Sequence, residues 1–144
     1  GADGTYRLAA HDPIPFDVLE RDMLIQPMMA SVASEGEYSL FYFNGTFSHA
    51  ILKKPAAGDF RVQEQFGGHE VRVDAPAPAQ ALAQKTLAAS PVAPLYARID
   101  MVRDDADGGF RLMELEVIEP SLFLSFASDE GRLFAKAVHA QLTS

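Results

Sequence analysis

Arg98, Asp100, Glu114 and Glu116 are the residues of this chain whose types and spacing can do chemistry together. They lie on two β-rich runs, Leu95 to Arg103 and Phe110 to Ile118, joined by Asp104-Asp105-Ala106-Asp107-Gly108-Gly109. An antiparallel turn centred on Asp107 sets Asp100 opposite Glu114 and Arg98 opposite Glu116. Side chains alternate across a strand, so these four share one face while Ile99, Met101, Met113, Leu115 and Val117 fill the other. Like charges directly across a strand pair cost roughly 0.2–1 kcal/mol, so three converging carboxylates call for a cation. Oxygen donors alone suit a hard ion such as Mg²⁺, which takes few carboxylates and completes its shell with water and phosphate. Two other readings stay open on spacing alone. The residues could form a solvated polar face neutralised by Arg98, or a glycosidase-like acid/base pair, which leaves Arg98 without a role.

Other chemistries find little support. The 144 residues contain no cysteine, which excludes a disulfide framework, a thiolate nucleophile and a cysteine zinc site. His11, His49, His69 and His139 have no metal-ligand spacing. Nothing resembles a nucleophile elbow, and the glycines at 1 and 4 do not complete a phosphate-binding loop motif. Twelve basic against 20 acidic residues, a net charge of −8, argue against nucleic acid or an anionic membrane as partner. No apolar run approaches the ~20 residues that span a bilayer, and a cytoplasmic location is expected. An apolar fraction of 48% and a charged fraction of 22% are ordinary for a globular domain.

The elements that must position the charged face are legible as an α+β arrangement, an antiparallel sheet with flanking helices. Glu37 to Phe43 and Thr46 to Lys53 form a hairpin around Asn44-Gly45, a turn pair that accepts positive φ at both positions. Pro78 to Ser90, bounded by Pro76, Pro78 and Pro91, reads as a helix. Glu130 to Leu142 is a closing amphipathic helix with Leu133, Phe134, Ala137, Val138 and Leu142 on one face and Ser128 or Asp129 as N-cap. A short helix is expected within Pro15 to Asp22, and a buried strand over Met23 to Met29 that Pro27 ends or holds at an edge. Lys54 to Phe60 reads as a loop, and Gly67-Gly68 as a turn.

With the elements in place, the sequence resembles the C-terminal half of the ATP-grasp fold, in its ribosomal-protein glutamate ligase and glutathione synthetase-like branch, and most nearly the cycloserine-biosynthesis type. The likeness runs from the opening loop to about Leu124. Ile51-Leu52-Lys53-Lys54-Pro55-Ala56-Ala57-Gly58-Asp59-Phe60-Arg61 and Met113-Glu114-Leu115-Glu116-Val117-Ile118-Glu119-Pro120 carry it most specifically. The resemblance implies that Asp100, Glu114 and Glu116 hold Mg²⁺, or Mn²⁺ in its place. Glu116 departs from the commoner Asn, keeping an oxygen donor while adding a charge. It implies that Arg61 and Gln63 contact ATP, with Arg61 on phosphate or the acyl-phosphate, and that Arg98 serves the transferred phosphoryl group. Gln26 and Met28 match the hinge that reads adenine, Glu37 the acid that binds the ribose hydroxyls, and Lys53 or Lys54 a base near substrate or phosphate. Plainer roles compete: Met28 and Met29 as core, Glu37 as a solvated strand end, Arg61 paired with Asp59 on the surface. Because Lys53 and Lys54 are adjacent, at most one enters the site.

The implied activity is an ATP- and Mg²⁺-dependent carboxylate–amine ligase working through an acyl-phosphate, with the nucleotide and a small-molecule acid and amine as partners. This chemistry needs no side-chain nucleophile, which agrees with the missing triad and cysteine. A non-catalytic nucleotide-binding or assembly module on the same scaffold is the other reading. The strand and lysine that precede the glycine loop in such proteins are expected before Gly1, so the chain reads as a partial ATP site. An uncovered apolar face then favours a homodimer.

Overall fold

In a computed structural model the chain is described over residues 5–56, 62 and 67–143. Five strands form one antiparallel sheet: β1 (Glu37–Phe43), β2 (Thr46–Lys54), β3 (His69–Val73), β4 (Tyr96–Arg103) and β5 (Phe110–Glu116), ordered β3-β2-β1-β4-β5. The helices are α1 (Ser31–Ser34), α2 (Ala77–Ala89) and α3 (Arg132–Leu142). The expected α+β class is the one observed.

The β1–β2 hairpin turns at Asn44 and Gly45 with φ of 46° and 74°, the doubly positive turn anticipated from that pair. The polar β4–β5 loop is closed by Asp104 N–H on Gly109 O at 2.7 Å and Gly108 N–H on Asp104 O at 2.8 Å. Arg111 holds Asp104 at 2.6 Å and Asp107 at 2.9 Å across it. One sheet face packs on α2, where Ala79 and Ala83 are wholly buried and their small side chains let the helix approach Leu40, Tyr42, Ile99 and Met101. The opposite face is covered at one end by α3 and the 123–126 turn. There Phe43 meets Phe134 at 5.2 Å, and Phe41 stacks flat on His49 at 4.3 Å. The N-cap of α3 is Gly131 rather than Ser128 or Asp129, but Asp129 still serves the first turn, accepting from the Gly131 and Leu133 amides at 3.1 and 2.8 Å.

Three expectations need correction. Met23 to Met29 forms no strand; Leu24 and Ile25 are each 88% exposed, because no described strand edge receives the segment and Pro27 lacks an amide to offer one. The Pro15 to Asp22 helix is reduced to a single 3₁₀ turn at Phe16–Val18. On β5 a bulge follows the Asp100↔Glu114 pair, so Met101 faces Leu112. Met113 thereby leaves the α2 face and packs with Val32, Val62 and Val102 on the other side. Strand β3 was not anticipated. Among the described residues no helix is long and apolar enough to cross a membrane.

Candidate functional site

The open end of the second sheet face carries the charged residues. Odd-numbered positions of β1 point there, with Glu37 paired to Lys53 of β2 and Ser39 to Asp100 of β4. Gly36 makes this possible. Its φ of +118° and a Lys53 carbonyl only 2.5 Å from where a Cβ would sit leave room for no side chain, and the chain turns directly from α1 into Glu37. On the far side β4 sets Arg98 opposite Glu116 and Asp100 opposite Glu114, the pairing expected of a turn centred on Asp107.

Asp100 is the centre, 2% exposed. Its Oδ1 accepts from the Ser39 hydroxyl at 2.6 Å, and its Oδ2 faces Lys53 Nζ at 3.2 Å and Arg98 Nη2 at 3.0 Å. Lys53 also reaches Glu37 Oε1 at 3.1 Å. Arg98 reaches Glu116 Oε1 at 2.5 Å and lies 4.0 Å from Glu114 Oε2. Lys54, one residue on, is exposed. One oxygen from each of Asp100, Glu114 and Glu116 falls within 4.8 Å of the others. Asp100 is the buried wall of this triad, and the Glu114 side chain, 57% exposed, its open side. An all-carboxylate donor set with one open side fits a hard cation that keeps waters and phosphate oxygens in its shell.

The electrostatics reflect burial against pairing. Desolvation raises the Glu37 carboxyl above the ordinary glutamate range, an effect that Lys53 opposes and Asp100 reinforces. Glu116 is likewise raised, first by burial and then by Glu114, with Arg98 pulling the other way. Burial weakens the charged form of Arg98, yet Asp100, Glu116 and Glu114 together hold its pKa above the usual arginine value. Outside the cluster, Glu35 is held below its usual range mainly by Arg103, with Nε–Oε2 at 2.8 Å.

The structure therefore brings together Arg98, Glu37, Lys53, Asp100, Glu114 and Glu116. It does not bring Gln26 or Met28 to them: both sit on the exposed segment, although the next residue, Met29, packs against the Val32, Val62 and Val102 group beside the cluster. Arg61 and Gln63 lie outside the described residues. Val62 between them is buried. Ser39 was missed by sequence reasoning; the signal was a small hydroxyl residue at the same strand parity as Glu37 within the otherwise bulky run Glu37–Phe43.

No family model matches the chain. The cycloserine biosynthesis protein DcsG of Streptomyces lavendulae is 36% identical over 127 residues, covering 83% of this chain and 42% of that protein. The crystal structure of D-cycloserine synthetase DcsG superposes with a TM-score of 0.70 at 35% identity, over 81% of this chain and 41% of that one. The chain belongs to the ATP-grasp superfamily. The D-alanine–D-alanine ligase of Bacillus anthracis, in its complex with ATP, shares the fold at a TM-score of 0.51 and 22% identity, over 74% of this chain and 38% of that one. The chain spans about two-fifths of the length of these relatives. With the family placed, the α+β sheet is an ATP-grasp sheet.

Proposed function

We propose that the chain supplies the C-terminal portion of an ATP- and Mg²⁺-dependent carboxylate–amine ligase, with Asp100, Glu114 and Glu116 as its cation ligands. The observation that carries this reading is the convergence of those three carboxylates with Arg98 and Lys53 at the open end of one sheet face. In the reaction an oxygen of the substrate acid attacks the γ-phosphorus of ATP and ADP leaves. The amine then attacks the acyl carbon and phosphate leaves. A bound Mg²⁺, or Mn²⁺, supplies charge neutralisation to the phosphates.

The chain's own residues do the rest by position and charge. Arg98 sits where it can pass from the carboxylates to a transferred phosphoryl group. Lys53, fixed between Glu37 and Asp100, presents a cation to the phosphates. Glu37 at the start of β1 is placed to accept from ribose hydroxyls. Gln26 and Met28 are the adenine-side residues, and Arg61 and Gln63 the phosphate-side ones. Acid and amine contacts come mainly from parts of the protein beyond these 144 residues, and a homodimer through the exposed apolar residues Phe16, Leu19, Leu24 and Ile25 is the expected state of the isolated chain.

The test is turnover by the whole protein. ADP release should require Mg²⁺ and a carboxylic acid, and hydroxylamine should trap an acyl hydroxamate when the amine is left out. Nucleotide binding without ADP release under any acid and amine would favour a non-catalytic module. ATP-independent hydrolysis would refute the ligase reading.

A further inference from the structure

Arg98 is the one side chain among the described residues that makes ion pairs with all three carboxylates of the triad. Its Nη2 is 3.0 Å from Asp100 Oδ2, 2.5 Å from Glu116 Oε1 and 4.0 Å from Glu114 Oε2. Its Nε also donates to both oxygens of Asp100, at 3.1 and 3.0 Å. Lys53 touches only Asp100 within the triad, and Ser39 holds the other Asp100 oxygen. The guanidinium cannot lose its charge and has no acceptor to offer a metal. A divalent cation and Arg98 therefore compete for the negative charge of the same three carboxylates.

We propose that Arg98 is the internal counter-ion of this site. In the nucleotide-free chain it holds the three carboxylates together and keeps the affinity for a divalent cation low; the nucleotide triphosphate gives it a new anionic partner and frees the carboxylates. This rests on the reading of Asp100, Glu114 and Glu116 as cation ligands. Its consequence is that cation and nucleotide each strengthen the other's binding, by the same factor, through the transfer of Arg98 from carboxylate to phosphate.

The test is Mn²⁺ binding to the whole protein, read by electron paramagnetic resonance of the free ion, with and without a non-hydrolysable ATP analogue. In the absence of the analogue, Arg98→Met should bind Mn²⁺ at least ~10-fold more tightly than the unaltered chain, and the enhancement by the analogue should shrink by a similar factor. Lys53→Met, which removes a cation from Asp100 alone, should give a smaller gain. Unchanged or weaker Mn²⁺ binding in a folded Arg98→Met chain, with the enhancement intact, would overturn the proposal. The cation reading itself fails separately, if Asp100→Asn and Glu114→Gln bind Mn²⁺ as the unaltered chain does. Should Arg98→Met not fold, the Arg98 Nε–Hε resonance of the unaltered chain decides: it should shift on addition of Mg²⁺ with the analogue, and a resonance unmoved at saturation contradicts the exchange.

Discussion

On the α2 side of β1 and β4, Leu40, Ile99 and Met101 are wholly buried within one hydrophobic cluster. One residue along in the same strands, Ser39, Arg98 and Asp100 are between 0 and 9% exposed, but they are polar and pair with one another through hydrogen bonds and ion pairs. The first face gains stability from area removed from water, a non-directional effect that tolerates shape changes gradually. The second has paid desolvation for several ions and recovers it only while each remains paired. Strand alternation alone thus places an apolar face back to back with one of paired ions.

The sharpest way to break this contrast is Ile99→Ala. Truncation of a wholly buried side chain against α2 should cost about 2–5 kcal/mol in urea unfolding, while the folded fraction keeps its cation affinity. A weakened affinity in that fraction would show that the two faces are not independent. Ser39→Ala comes next on the polar face. It removes a hydrogen bond to a carboxylate, worth about 1.5–3 kcal/mol, and should also weaken Mn²⁺ binding because Asp100 loses its anchor. A loss confined to stability would reduce Ser39 to a core residue.

Acid titration separates two carboxyls only two residues apart. Glu35 is depressed, so its stabilisation is complete above the ordinary glutamate pKa of ~4.3 and is lost as pH falls through its lower folded value. Glu37 is raised, so the cost of its charge is present above its folded pKa and is relieved as pH falls through it. Urea midpoints measured against pH should therefore change slope below ~4.3 in Glu35→Gln and above it in Glu37→Gln. Identical profiles in the two variants would contradict the assigned environments.

Alternation and turn chemistry are local, and what depends on them was legible in the sequence: the Asn44-Gly45 hairpin, the Asp100↔Glu114 register, the shared face of Arg98 with the triad, and the limit that only one of Lys53 and Lys54 enters the site. What depends on partners was not. The Met113 bulge follows from the way the Asp104–Gly109 hydrogen bond closes the β4–β5 loop, which composition does not encode. Strand β3, His69-Glu70-Val71-Arg72-Val73, is a largely exposed edge with a weak apolar signal. Met23 to Met29 has that signal in full, yet no described strand to pair with, so periodicity misread it. Which lysine faces Asp100 became clear only once the β1–β2 register set Glu37 against Lys53.

Glu114 offers the smallest structural disturbance and the most direct test. Its side chain is 57% exposed, and Glu114→Gln should change stability by no more than about 0.5 kcal/mol. Calorimetric titration of a non-hydrolysable ATP analogue into the whole protein, with and without Mg²⁺, should give Mg²⁺-dependent binding that Glu114→Gln weakens by ~10-fold or more. Binding of equal strength with and without Mg²⁺, unaltered in Glu114→Gln, would contradict a cation site on this face.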